Sequence, residues 1–247
     1  MSGGTERPRT LSLVVPVYDA PDLARALVAR LPELERTARA CGFALVESIF
    51  VDDGSPAPLA AALPGGGGRR LVVLRLASNR GKGAAVRRGA LAAKGAWVLM
   101  SDVDLSAPFA EFARLAPFAD AWIVCGSRYG RPGMPLARRL LSRVFHWIVQ
   151  ALCRTGVEDS QCGFKLFRMD AMRAVFAAQR IDRFAFDVEL IRRARRAGGT
   201  VKEVPVAWRG GKRSSLRVFR DAPRMLWDLL RIGPCRASSR ARTRAGR

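Results

Sequence analysis

Five short apolar runs, alternating with segments of helical periodicity or glycine-rich turns, restrict this chain more than any other feature: LSLVVPV (11–17), LVESIFVDD (45–53), LVVLRL (71–76), AWVLMSD (96–102) and AWIVCGS (121–127). Each is too short for a core helix and rich in branched apolar residues, so each reads as a buried strand. Helical patterns fill the intervals from about Asp22 to Ala40, from Lys82 to Lys94 and near 109–118. Strands that alternate with helices in this way make parallel neighbours joined by crossovers, and the expected fold is a doubly wound α/β sheet, Rossmann-like and mostly parallel.

The second half extends the same domain. It offers an apolar helix over Arg138 to Arg154, a short strand around GFKLF (163–167), a helix from Ala185 to Arg196, a strand in TVKEVPVAW (200–208) and a closing helix near 218–231. The connector PGGGGRR (64–70) reads as a flexible loop with no other role. Residues 10–232 are therefore expected to form one domain, with a disordered start over 1–9. The segment 233–247, with five arginines and no acid, is expected to be a disordered basic tail.

In open α/β sheets ligands bind beyond the carboxyl ends of the strands. The acidic pairs fall there: PVYDA follows the first strand, Asp52 and Asp53 close the second, and Asp102 and Asp104 follow the fourth. A single aspartate at a strand end is as readily a turn former or helix cap. Two pairs on one rim favour a binding role, because such carboxylates repel and raise one another's pKa unless a cation or hydrogen-bond donors offset them. Carboxylates are hard ligands suited to Mg²⁺ or Mn²⁺, which such sites share with a substrate's diphosphate, and Asp104 is the expected ligand. Asp52 and Asp53 could instead meet a ribose or base. NRGKGAAVRRG (79–89) is not a Walker loop, because Gly81 and Lys82 are followed by Gly83, yet Lys82 at a helix start could attract a phosphate.

Composition narrows the partners. Lys and Arg number 43 against 21 acidic residues, a net charge of +22, which suits an anionic partner such as nucleic acid, acidic lipid or a phosphate-bearing substrate. Five scattered cysteines, none in a C-x-x-C pair, argue against a disulfide framework or a zinc site and point to a reducing cytoplasm. The polar opening MSGGTERPRT and the lack of an apolar run near ~20 residues give no signal peptide and no membrane span. The lone histidine, His146, lies in a helical pattern and reads as a packing or surface residue.

VVPVYD, VDDGS, NRGKGAAVRRG, SDVDLS, GSRY, DSQCGFKLF and FAFDVEL occur in the order and at about the separations seen in family-2 glycosyltransferases. Over about residues 10–232 the chain resembles the polyprenyl-phosphate branch, the dolichyl-phosphate β-glucosyltransferases and mannose synthases, with DSQCGFKLF and FDVEL leaning towards the glucosyl members. The resemblance implies a GT-A fold with amphipathic carboxyl-terminal helices, a sugar-nucleotide donor and a polyprenyl or dolichyl phosphate acceptor. It implies that Pro16, Tyr18, Asp52, Asp53, Lys82 and Asp102 serve the nucleotide and that Asp104, with Ser106 nearby, holds Mg²⁺ or Mn²⁺. Arg128 and Arg138 then grip the acceptor phosphate, and Asp159 and Gln161 enclose sugar and acceptor.

Two departures stand out. The family's Tyr-Asn-Glu reads Tyr18-Asp19-Ala20, and its Ser-Lys pair reads Ser214-Ser215, which leaves Lys212, Arg213 or Arg217 to meet the diphosphate. A lipid phosphate, with a second pKa of ~6, needs no general base and attacks directly, so inversion is expected. The basic charge and the pattern LRVFRDAPRMLWDLLRIG suit peripheral attachment to the cytoplasmic face of an anionic membrane. A GDP-mannose-dependent enzyme of the same mechanism, a nucleic-acid-binding protein and an inactive transferase-like protein are the rival readings. No nucleic acid is expected, since the aromatics do not interleave with the basic residues in a stacking pattern.

Overall fold

A computed structural model describes residues 9–63, 70–128, 147, 149–150, 152–153, 155–209 and 227–232. Seven strands form one sheet: β1 (Arg9–Val17), β2 (Phe43–Asp52), β3 (Leu71–Arg75), β4 (Trp97–Met100), β5 (Ile123–Ser127), β6 (Lys165–Arg168) and β7 (Val201–Pro205). Their spatial order is β3-β2-β1-β4-β6-β5-β7. The strands alternate in side-chain direction, as a pleat requires. Leu11, Leu13, Val15 and Val17 of β1 enter the core on one face while Val14 enters the other. β4 divides likewise, Leu99 from Val98 and Met100.

Helices cover both faces. On the first lies α1 (Pro21–Ala40), with Pro21 in its first turn, Asp22 beside it, Arg39 in its last turn, and a buried stripe of Ala24, Leu27, Leu31, Leu34 and Ala38. Proline and acid at the start and base at the end suit the helix's free N–H groups and its dipole. The short α2 (Leu59–Ala62) follows β2. On the opposite face lie α3 (Lys82–Ala92), α5 (Met169–Ala177) and α6 (Phe186–Arg196). Between β4 and β5 the chain makes a 3-10 turn at Phe109–Glu111, the one-turn α4 (Phe112–Leu115) and another 3-10 turn at Ala116–Phe118.

The alternation of strands and helices and the mostly parallel sheet are borne out, β6 being the strand that runs antiparallel, to both β4 and β5. Three details are corrected. The continuous helix expected near 109–118 is broken into three turns, with Pro108 ahead of the first and Pro117 inside the last, where a ring excludes a helical N–H bond. The helix α5 was not expected, and Arg9 belongs to β1 rather than to a disordered start. Of the helix read over 138–154, residues 147, 149–150 and 152–153 are described and helical, with Trp147 exposed and Val149 and Cys153 buried. Residues 227–232 of the closing helix are helical too. The rest of both segments, most of the connector at 64–69, and the tail at 233–247 lie outside the described residues.

One consequence of topology matters for function. β1 to β5 and β7 share a direction, so their carboxyl ends lie along one edge of the sheet. Because β6 is reversed, its first residue, Lys165, and the loop leading into it arrive at that same edge.

Candidate active site

The edge gathers polar groups from six segments. β1 delivers Pro16, in register with Val51 of β2, and then Tyr18, which is 51% exposed. β2 ends in Asp52 and Asp53, both buried, and both are committed to the protein's own loops. Asp52 accepts hydrogen bonds from the backbone N–H of Ser55 (2.8 Å) and Leu59 (3.1 Å) and from Arg75 Nη1 (2.6 Å). Asp53 accepts the N–H groups of Arg80 (2.9 Å) and Gly81 (2.8 Å), which ties the NRGKG turn to the sheet. Gly81 has φ +116°, a conformation a side chain would strain, and the turn it makes opens α3 with Lys82 as first residue.

Lys82 does not stand free at that helix start. Its Nζ lies 2.6 Å from Oδ1 of Asp102, two residues past β4. On the other side of Asp102 is Gly163, where any Cβ would overlap the carboxylate. The DSQCGF loop is thus packed directly against the SDVD loop, and only glycine permits the approach. Asp104 accepts from Ser106, both the backbone N–H (3.0 Å) and Oγ (2.7 Å). Ser106 is buried, so its hydroxyl fixes Asp104 within the turn. Leu105 between them has φ +48°, unusual for a branched residue, and marks a turn held in shape by its surroundings.

Next along the edge, Arg128 follows β5. Its Nε and Nη2 reach Asp159 at 2.5 and 2.6 Å and its backbone N–H adds a third bond at 2.9 Å, the fork-to-fork arrangement that guanidinium and carboxylate favour. The guanidinium also lies over the ring of Trp208 at 5.2 Å. Glu203 of β7 accepts the N–H groups of Glu158 and Asp159 and so fixes the start of the loop that carries half-buried Gln161. Beneath the loop is an ion pair the sequence did not single out: Lys165 Nζ lies 2.8 Å from Asp187 Oδ1, with both side chains almost wholly buried. Lys165 also donates to the carbonyl of Cys162. The available signal was a charged residue set between apolar neighbours in each motif: Lys165 between Phe164 and Leu166, and Asp187 between Phe186 and Val188.

The electrostatics show how the crowding on the rim is offset. Carboxylates so placed raise one another's pKa unless cations or hydrogen-bond donors compensate. Burial does act upward on Asp102, but Lys82, with Lys165 and Arg128 further off, holds it below the ordinary carboxylate value. Asp159 is likewise pulled down by Arg128 against the effect of burial. Asp52 lies low through its bonds to the Ser55–Leu59 turn and Arg75, again against burial. Asp53 alone among these four is raised, because burial outweighs the two N–H groups it accepts. Lys165, which burial alone would deprotonate, is kept charged by Asp187.

The geometry unites Lys82, Asp102, Asp104, Ser106, Arg128, Asp159 and Gln161 through contacts within two interlocked loops and their neighbours, with Asp53 joined to them through Gly81. Arg138 and Arg213 lie outside the described residues, as does His146. Among the described residues no cluster of three His, Cys, Asp or Glu side chains could hold a metal ion. Protein ligands for Mg²⁺ would come from Asp104 and Asp102 on the SDVD turn, with phosphate oxygens and water completing the shell, which is how Mg²⁺ is commonly bound. Hard carboxylate oxygens on a half-open turn fit such an ion.

The glycosyl transferase family 2 profile matches residues 12–176. Dolichyl-phosphate beta-glucosyltransferase of Dictyostelium discoideum is 34% identical over 90% of this chain and 73% of its own length. The Homo sapiens protein of the same name is 33% identical over 91% and 75%. Among solved structures, glucosyl-3-phosphoglycerate synthase from Mycobacterium tuberculosis with Mn²⁺, UDP-glucose and phosphoglyceric acid superposes with a TM-score of 0.66 at 18% identity, covering 93% of this chain and 81% of that one. Mannosyl-3-phosphoglycerate synthase from Rubrobacter xylanophilus gives 0.61 at 18% identity, covering 90% and 72%. These structures share the fold. By the extent of the profile match and the identity to relatives matched over 73% and 75% of their own length, this chain belongs to glycosyl transferase family 2 and is a glycosyltransferase.

Proposed function

We propose that the protein transfers glucose from UDP-glucose to a polyprenyl or dolichyl phosphate, with inversion, at an anionic membrane surface and with the help of Mg²⁺ or Mn²⁺. The substrate class rests on relatives named dolichyl-phosphate beta-glucosyltransferase that match nine-tenths of the chain. The observation that carries the chemistry is Asp104: of the aspartates that follow β2 and β4, it has no ion-pair partner among the described residues and is not buried.

In this reading the exposed Tyr18 ring, beside Pro16, faces the nucleotide. Asp52 and Asp53 act by holding the two loops that frame it, and Lys82 and Arg213 meet the diphosphate. Asp104 and Asp102 hold the cation, with Ser106 fixing the turn; when bound, the cation supplies charge neutralisation on the departing diphosphate. Arg128 and Arg138 receive the acceptor phosphate, since paired N–H groups match phosphate oxygens, and Asp159 and Gln161 enclose the sugar.

The acceptor's phosphate oxygen attacks the anomeric carbon from the face opposite the diphosphate. The new carbon–oxygen bond forms as the bond to the diphosphate breaks, and UDP departs with the electron pair. An acceptor phosphate with a second pKa of ~6 is largely dianionic at neutral pH, so no residue has to remove a proton. The protein's task is alignment and the suppression of repulsion between two anions. Among the described residues no helix is long and apolar enough to cross a membrane. Attachment is then electrostatic, through a net charge of +22, together with exposed Trp147, Trp227 and Leu230.

The test is incubation of the purified chain with labelled UDP-glucose or GDP-mannose, short polyprenyl phosphates and Mg²⁺, Mn²⁺ or EDTA. A β-linked glucosyl lipid formed only with metal is expected. Preference for GDP-mannose would overturn the donor, a retained anomeric configuration would overturn direct displacement, and absence of any glycolipid would overturn the reading as a whole.

A further inference from the structure

We propose that Lys82 is a built-in counter-ion for Asp102, one that the divalent cation and the donor must displace together, so that metal binds weakly without nucleotide and tightly with it. The inference rests on the metal-dependent donor reading above and adds an order to it.

Three observations lead there. First, Lys82 Nζ lies 2.6 Å from Oδ1 of Asp102, within direct ion-pair distance. Second, Gly163 packs so closely on the same carboxylate that a Cβ there would overlap Oδ2, which leaves little room for a cation beside that oxygen. A metal approaching Asp102 must therefore share the carboxylate with an ammonium group, and two cations on one carboxylate repel. Third, the backbone beneath Lys82 is fixed, so that a change of partner falls to the side chain alone. Gly81 is tied to Asp53 at 2.8 Å, the Ala84 N–H bonds to the Asp182 carbonyl at 3.0 Å, and Lys82 begins an eleven-residue helix. A four-carbon stem on a fixed base can carry its charge from Asp102 to a diphosphate arriving at the helix start.

The donor's diphosphate then does two things in one event: it accepts Lys82 and it releases Asp102 for the metal. Coupling of this kind is reciprocal, so the metal strengthens nucleotide binding by the same factor. In the free protein the ammonium stands in for the metal and ties the NRGKG turn to the SDVD loop, so the site need not repel itself when empty of donor.

The experiment is titration of Mn²⁺ by electron paramagnetic resonance, on the full chain, with and without UDP. In the wild type, UDP is expected to tighten Mn²⁺ markedly. Lys82→Met, nearly the same length but neutral, should tighten nucleotide-free Mn²⁺ about tenfold, within the range linked sites usually transmit, and narrow the gap that UDP makes. Lys82→Arg, which keeps the charge, should leave nucleotide-free Mn²⁺ weak. Melting curves establish that each variant is folded, and Lys82→Gln gives the same reading should the methionine variant fail to fold. Unchanged or weaker Mn²⁺ binding in the folded neutral variant overturns the counter-ion role while leaving the metal-dependent reading intact. Wild-type Mn²⁺ binding indifferent to UDP overturns both.

Discussion

The two sides of the rim use their carboxylates differently. On the β2 side, Asp53 accepts only backbone N–H groups, and Asp52 accepts two of them besides Arg75. On the β4–β6 side, Asp102, Asp159 and Asp187 each face a side-chain cation, respectively Lys82, Arg128 and Lys165. A carboxylate bonded to backbone can exchange partners only if the loop itself comes apart, whereas one bonded to a long side chain can trade that cation for another. The first side spends its charge on shape; the second keeps its charge exchangeable. Within the second side there is a further gradation, from the buried Lys165–Asp187 pair to half-open Asp104.

The largest effect should come from the buried pair. Lys165→Met leaves Asp187 charged and unpartnered in the core, and removal of one member of such a pair costs about 3–5 kcal/mol. Urea unfolding should register this loss, and Lys165→Met combined with Asp187→Leu should recover most of it. If the single substitution were neutral, the gradation from buried to exchangeable pairs would have no energetic basis.

Asp104→Asn should do the reverse, sparing the fold and harming turnover. Loss of one group that stabilises developing charge typically lowers kcat by about 10²–10³. Ser106 can still donate to the amide oxygen, so melting should shift little. Near-full turnover with metal present would remove Asp104 from its assigned role and leave the exchangeable side without its anchor.

How much of this was legible beforehand follows from what each signal encodes. Strand runs and the helix stripe of α1 are local patterns, and local patterns survive in one sequence. Strand direction is not local: GFKLF has the same alternation whichever way it runs, so the reversal of β6 needed the pairings to Met100 and Cys125 to be seen. The α5 pattern was present in Met169, Met172, Val175 and Phe176, spaced for one helical face, and went unread behind the stronger strand before it. The same limit applied to the site. Sequence placed Asp52, Asp53, Asp102 and Asp104 at strand ends correctly, because topology fixes that. Which of them bond to backbone and which to a cation depends on partners 2 to 28 residues away, and no spacing rule carries that. Lys165 was missed because an isolated lysine in a strand normally reads as an exposed one.

Asp53→Asn sharpens the comparison from its structural side. The amide keeps one acceptor but places an NH₂ against the N–H of Arg80 or Gly81, and an unmet buried donor costs about 1–3 kcal/mol. Hydrogen exchange in the NRGKG turn should quicken, and the KM for donor should rise more than kcat falls. A loss of kcat as large as for Asp104→Asn, without loosening of the turn, would show that Asp53 touches the reacting groups and would erase the distinction between the two sides. Arg128→Lys should have a milder effect, about tenfold on the KM for acceptor, since a lysine retains charge but not the paired geometry.

The smallest effect, and one that separates Asp53 from Asp159 by sign, is the response of stability to acid. Asp159 is held low by Arg128 although burial opposes it, so its folded pKa lies beneath the unfolded value of about 3.9. Its contribution is complete above that value and is lost as the pH falls through the lower, folded one. Asp53 is raised by burial, so in the interval above the unfolded value the native protein holds a proton the unfolded chain has released, and stability is lost as the pH rises through it. The advantage of wild type over Asp159→Asn should therefore shrink in acid, while that over Asp53→Asn should grow. Urea titrations at neutral pH and in steps down through pH 4 read both differences on one protein. Curves that move in the same direction would mean that the carboxylate bonded to backbone and the one bonded to arginine experience the same field, and the contrast between the two sides would then be one of bonding pattern without electrostatic consequence.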